Sequence, residues 1–188
     1  SVSFTEQEQR EYNRLNKLFQ ELYARCNGDF EVIKRDKITF LRRKICYSAS
    51  NKAETLAIIL KKYPEEKSII FNEFKVDAHK ANNYLRAKLP TDNKMLIYHS
   101  GLHKKRRANA LKAFKLNYIK YLFAVRALDE GTNIPDCSLQ IVMSGNSTLL
   151  QNTQRTGRTI RLKENNKIST CFHLYIPGTV EERSVKKR

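Results

Sequence analysis

The sequence predicts an α/β fold, a doubly wound parallel sheet with helices packed on both faces, and three observations predict it. From Ser48 onward, short apolar runs alternate with segments of helical period, which is the pattern of successive βαβ units. Polar residues and glycines follow those runs directly: Asn72-Glu73-Phe74, His99-Ser100-Gly101, Arg126 and Ser144-Gly145-Asn146. In an open parallel sheet, ligands gather at the carboxyl ends of the strands, so these residues mark one functional edge. The region before Ser48 lacks such apolar runs and reads as a helical extension.

The elements follow in order. Thr5 before Glu6 and Glu8 is an N-cap with an acidic first turn, and Leu15, Leu18, Phe19, Leu22 and Tyr23 continue at helical spacing over residues 5–26. Asn27-Gly28-Asp29 breaks that helix. Residues 30–47 are mixed and basic, helical around 38–45, with Arg42-Arg43-Lys44 read as a solvated face. Ser50-Asn51-Lys52 starts a helix that runs through Lys62, followed by a strand at Ser68–Asn72 and a helix over 77–89. A strand at Met95–His99, a helix over 104–116 and strands at Tyr121–Val125 and 139–144 come next. An arginine-bearing helix, a strand over 170–176 and a last helix from Thr179 complete the pattern. Nothing repeats at a fixed period, which argues against a solenoid.

A length of 188 residues and a mass of 22.0 kDa fit one globular domain with an extension. The net charge of +17 and pI of 9.8 point to a nucleic-acid partner but supply no mechanism. Cys26, Cys46, Cys137 and Cys171 form no Cys-x-x-Cys pair, which argues against structural zinc and a disulfide framework. They read as reduced, mostly buried thiols of an intracellular protein, in the cytoplasm or nucleoid of a bacterium or phage-infected cell, or in the nucleus if eukaryotic. No apolar run has the length of a membrane span, and the first residues lack the layout of a signal peptide.

The most informative stretch is Gln154-Arg155-Thr156-Gly157-Arg158-Thr159-Ile160-Arg161. At helical pitch Gln154, Arg158 and Arg161 share one face, while Leu149, Thr153, Gly157 and Ile160 form a small, apolar opposite face suited to docking on a sheet. Two planar guanidinium forks side by side match the oxygens of a transferring phosphoryl group. A surface salt-bridge helix is the alternative, but only Glu164 follows nearby. Leu128-Asp129-Glu130-Gly131-Thr132-Asn133-Ile134-Pro135 offers polar groups to a ribose or makes a plain strand-to-strand turn. His99-Ser100-Gly101 is a phosphate contact or a structural strand end, and Lys104-Lys105-Arg106-Arg107 is a polyanion contact or a solvated basic face. Gly-x-x-x-x-Gly-Lys-[Ser/Thr] is missing from the chain, so the arginines would act on a nucleotide held by another domain.

These residues resemble superfamily 2 helicases, and most of all the xeroderma pigmentosum group B type of DNA-repair and transcription helicase. Gln154-Arg155-x-Gly157-Arg158-x-x-Arg161 is similar to motif VI, and residues 127–136 to motif V. Ile141-Val142-Met143-Ser144-Gly145 matches the strand and turn between them, Ser68-Ile69-Ile70-Phe71 resembles motif IV, and His99-Ser100-Gly101 resembles the next family element. The resemblance implies that residues 48–188 are the C-terminal RecA-like domain of an ATP-dependent DNA helicase or translocase. Residues 1–47 would then link it to an N-terminal RecA-like domain. ATP with Mg2+ would be bound mainly by that other domain, with Arg158 and Arg161 as γ-phosphate arginines and Gln154 as a nucleotide contact. Glu130, Gly131 and Asn133 would line the nucleotide cleft. Asn72, His99, Ser100, Gly101, Arg126, Ser144, Gly145 and Asn146 would face the backbone of single-stranded, forked or branched DNA, with RNA the less favoured partner. No resident metal ligand is implied. Val125 stands where a Ser or Thr hydroxyl is usual in motif V, and Asn133 where Asp is usual. Two other readings stay open: a non-catalytic DNA-binding or partner-docking module of the same fold, and the motor subunit of a nuclease or restriction-type system.

Overall fold

A computed structural model describes residues 1–29, 32–33, 36–89, 94–125, 137–144 and 170–186. Contacts divide the chain into two units, Lys52–Leu174 and a helical unit of Ser1–Asn51 with Tyr175–Arg188.

In the first of these, five strands run parallel: β1 (Ser68–Asn72), β2 (Met95–His99), β3 (Tyr121–Val125), β4 (Leu139–Val142) and β5 (Thr170–His173). Their order across the sheet is β2-β3-β1-β4-β5. Every residue of β1, β3 and β4 is buried, which explains why these strands read in the sequence as largely apolar runs, with Ser68, Asn72 and Gln140 the buried polar residues among them. Among the described residues, three helices belong with the sheet: α3 (Asn51–Lys62), which enters this unit at Lys52, α4 (Lys75–Lys88) and α5 (Lys104–Lys115). The chain passes through α4 from β1 to β2, beyond β3, and returns through α5. Right-handed crossovers in opposite directions put these two helices on opposite faces. The packing agrees. Ile69, Phe71, Leu122, Ala124, Tyr98 and Val142 form one core layer with Ala110 and Phe114 of α5. Ile70, Phe123 and Ile141 alternate to the other face, where α4 contributes buried Ala78, Ala81 and Leu85.

The strand bounds predicted for β1, β2 and β3 are those observed. The run predicted over 139–144 ends as a strand at Val142, although the Met143 N–H still donates to the Phe71 carbonyl at 2.9 Å. The run predicted over 170–176 ends at His173, because Tyr175 and Ile176 belong to the helical unit, where the Tyr175 carbonyl accepts from Val2 N–H at 2.9 Å. Helix α5 ends at Lys115, and Asn117 turns the chain at φ 62°, a conformation Asn tolerates through its short polar side chain.

The helical unit contains α1 (Glu6–Arg25), α2 (Lys37–Tyr47) and α6 (Val180–Lys186). The Thr5 cap is a full capping box: Thr5 N–H donates to Glu8 Oε2 at 2.9 Å and Glu8 N–H to Thr5 Oγ1 at 3.3 Å. Asp36 caps α2 by accepting from Ile38 N–H at 2.6 Å, and Thr179 Oγ1 caps α6 by accepting from Glu181 N–H at 3.2 Å. The reading of Arg42-Arg43-Lys44 as a solvated face is corrected at its first residue. Arg42 is 4% exposed, on the same buried stripe as Thr39 and Cys46, and its guanidinium lies 3.8 Å from the centre of the Phe19 ring. Arg43 and Lys44 are exposed as expected. The cysteine reading also divides: Cys46 and Cys137 are buried, Cys26 is half-buried and Cys171 is exposed.

Phe114 is fully buried in the α5 layer, so Phe114→Ala should destabilise the fold by about 3–5 kcal/mol, read as a lowered denaturant midpoint. Tyr118→Ala, at a residue 64% exposed, should change it by no more than about 0.5 kcal/mol.

Candidate functional site

Parallel register places Asn72, Val125 and His99 side by side across β1, β3 and β2, and the pleat puts all three on the same face at the carboxyl edge. Asn72 is 1% exposed, and its Oδ1 accepts no hydrogen bond among the described residues. His99 Nδ1 is likewise covered and unpartnered. Buried polar atoms are normally satisfied, so two orphan atoms in one row point to an edge built to meet a further group.

Positive charge surrounds this row. Lys75 opens α4 directly after the β1 turn, and His79 follows one helical turn later. A Cβ added to Gly101 would lie 2.8 Å from Lys75 Nζ and 3.1 Å from His99 Nδ1, so glycine here makes room for a lysine and an imidazole to approach the backbone. Burial of its ring, and then the charges of Lys75 and His79, hold the His99 pKa below the ordinary histidine value. The α4 N-cap, Phe74, offers the first-turn amides no side-chain acceptor, leaving the positive end of a helix beside the same cations. Asp77 in the first turn and buried Glu73 are the carboxylates of this segment.

The other end of the edge is tied by backbone contacts. Glu73 N–H donates to Ser144 Oγ at 3.0 Å, joining the turns that follow β1 and β4, and both residues are buried. The Met143 carbonyl accepts from Lys52 Nζ at 2.7 Å. The whole arrangement offers cations, helix-terminal amides and hydroxyls with little competing acid, which is the donor set that binds phosphodiester oxygens.

The structure therefore brings Asn72, His99, Ser100, Gly101 and Ser144 to one edge of the sheet. Arg126, Glu130, Gly131, Asn133, Gly145, Asn146, Gln154, Arg158 and Arg161 lie outside the described residues. Sequence reasoning missed Lys75, His79 and Lys52. The first two form an i, i+4 pair on a helix that starts at Lys75, two residues before the predicted start at 77, so Lys75 fell outside the helix read from the sequence. Lys52 was legible as a lysine at i of the buried Lys52, Leu56 and Leu60 stripe. Among the described residues, no group of three or more His, Cys, Asp or Glu side chains is placed to hold a metal ion, and no helix is long and apolar enough to cross a membrane.

Known proteins share this architecture. The chain is 29% identical over 144 residues to the DNA 3'-5' translocase XPB2 of Sulfurisphaera tokodaii, covering 77% of this chain and 30% of that protein. It is 33% identical over 131 residues to the probable ATP-dependent RNA helicase ddx49 of Dictyostelium discoideum, covering 68% of this chain and 25% of that one. The chain thus spans well under half the length of these curated relatives. Its fold is similar to the Sulfolobus solfataricus SWI2/SNF2 ATPase C-terminal domain, with a TM-score of 0.69 at 16% identity, covering 99% of this chain and 81% of that one. Residues 51–163 match the family described as the helicase conserved C-terminal domain. With more than half of its length inside that match and a five-stranded parallel sheet of the same kind, the chain belongs to this C-terminal domain family of superfamily 2 helicases.

Proposed function

We propose that the chain is the C-terminal motor lobe of an ATP-dependent DNA helicase or translocase, working against an N-terminal RecA-like lobe that binds most of the ATP and Mg2+. Residues 48–188 are the lobe and residues 1–47 the helical link. The observation that carries this reading is the cationic row at the carboxyl edge, where Lys75 meets His99 and Gly101 beside the unpartnered Asn72 Oδ1. Such an edge grips a phosphate backbone without reading bases, as a motor that steps along any sequence requires. The name of the Sulfurisphaera relative, a DNA translocase, supports DNA as the track.

In this reading His99, Ser100, Gly101, Asn72, Arg126 and Ser144 to Asn146 hold the strand, and Lys75 and His79 join them. Glu130, Gly131 and Asn133 line the nucleotide cleft. Arg158 and Arg161 place their guanidinium forks on the oxygens of the transferring phosphoryl group, where they stabilise charge that develops during hydrolysis, and Gln154 orients or couples that contact. The nucleotide supplies the energy of the cycle; this lobe supplies arginines on one side and a grip on the strand on the other.

The decisive experiment uses the protein with both lobes. Arg158→Ala should lower DNA-stimulated ATP turnover by roughly 10³–10⁵-fold while the affinity for single-stranded DNA stays at the wild-type value. Turnover near wild type in that variant would refute the arginine role, and stimulation by RNA in place of DNA would reassign the track.

Lys75→Ala should make single-strand binding less salt-dependent, lowering the slope of log affinity against log salt by about 0.7 because one phosphate is no longer neutralised. The direction of the pH effect follows from His99. Its pKa is depressed in the free chain, and a bound phosphate favours the protonated ring, so binding takes up a proton and tightens as pH falls from about 8 to about 6. A titration of affinity against pH should show that slope in the wild type and a flatter line in His99→Asn.

A further inference from the structure

Lys52 is the feature that the proposed grip does not yet use. Among the described residues its side chain is second in volume only to Tyr121 in the fully buried set, and it is 1% exposed. Lysine is almost never buried to this degree, because taking an ammonium out of water costs several kcal/mol. A methionine or leucine would fill the same place on the Lys52, Leu56 and Leu60 stripe of α3 without that cost. The cation is therefore retained for what its donor reaches.

It reaches one atom that matters to the edge. Nζ donates to the Met143 carbonyl at 2.7 Å, a charge-assisted length, across 91 residues of sequence. Met143 directly follows β4, and its N–H donates to the Phe71 carbonyl at 2.9 Å. The next residue, Ser144, accepts the Glu73 N–H at 3.0 Å. Two consecutive residues are thus held from two elements at once, by β1 and the turn after it, and by α3 through Lys52. A carbonyl just past the end of a strand still needs a donor, and here a single ammonium supplies it from the neighbouring helix.

We propose that Lys52 is a positioning residue: by holding the Met143 carbonyl it sets the direction in which the chain leaves β4, and so places Ser144 and the Glu73 turn in the conformation that binds a nucleic-acid backbone. This rests on the reading of the carboxyl edge as the strand-binding surface. Removing the ammonium frees the Met143 carbonyl, loosens Ser144, and with it the acceptor of the Glu73 N–H. The strand must then order the edge as it binds, and affinity falls although no group that touches the strand has been deleted.

The test uses this chain, isotope-labelled, with Lys52→Met, Ser144→Ala and the double variant, and fluorescent oligothymidylate as the probe. Lys52→Met should stay folded with a lowered thermal midpoint, since the Met143 carbonyl loses its donor while the cost of burying an ammonium is removed. Exchange of the Glu73 amide should quicken about tenfold while amides within β1 and β3 keep their protection. Affinity for the oligonucleotide should fall about fivefold or more, and the double variant should bind no more weakly than the weaker-binding single variant, as for two residues acting through one interaction.

Wild-type affinity in Lys52→Met, unchanged Glu73 exchange, or effects that multiply in the double variant would each overturn the assignment. Should Lys52→Met fail to fold, the wild-type chain decides: titration with oligothymidylate should shift the Lys52 ammonium and Met143 carbonyl signals, and signals that stay fixed while those of Lys75 move would overturn it. A wild-type chain that binds no oligonucleotide removes the strand-binding reading itself, an outcome distinguishable because the Glu73 exchange comparison needs no ligand.

Discussion

Parallel pairing obliges the chain to return to the same side of the sheet before each new strand, so all five carboxyl ends are delivered to one edge whatever the connections contain. Everything chemical in the described structure follows from that constraint. It sets Asn72 and His99 beside Val125, brings the β1 and β4 turns within hydrogen-bonding reach, and starts α4 at the same edge. Residues distant in sequence become neighbours because strand direction, and not local propensity, decides where each turn falls.

The net charge of +17 says little by itself, since much of it lies on exposed lysines and arginines that any basic surface carries. What distinguishes the carboxyl edge is exposed positive charge beside covered, unsatisfied polar atoms: burial and then the charges of Lys75 and His79 hold the His99 pKa down, and Asn72 keeps a buried oxygen without a donor among the described residues. A buried polar atom gains more from a partner than a solvated one does, because its desolvation cost is already met in the free protein. Arg42 shows the contrasting use of a buried cation. It stacks on Phe19 inside the helical unit, where the ring face meets a guanidinium whose Nε has no hydrogen-bond partner among the described residues, and α1 and α2 pack together there.

The sequence revealed the strands best where both faces are covered. β3 is apolar from end to end and β1 has an apolar centre between Ser68 and Asn72, and their bounds were legible to the residue, as were those of β2. It overran at β4 and β5 because Met143, Leu174 and Ile176 are apolar for reasons other than strand membership, Ile176 being buried in the helical unit. Arg42 was misread because no local pattern separates an arginine stacked on a ring from one in water. Lys75 and His79 were missed because a polar helix start resembles any solvated first turn until a second strand brings His99 against it. The residues that resemble motifs V and VI were read from sequence pattern and family likeness alone, and they fall outside the described part of the structure.

Gly101 carries a mechanical consequence. A side chain here would have to displace the lysine tip and crowd the imidazole, so the glycine is what lets both groups stand against the same stretch of backbone. Any larger residue would trade that shared approach for bulk, and the separation between a β2 residue and an α4 residue is thus set by the one position that carries no side chain at all.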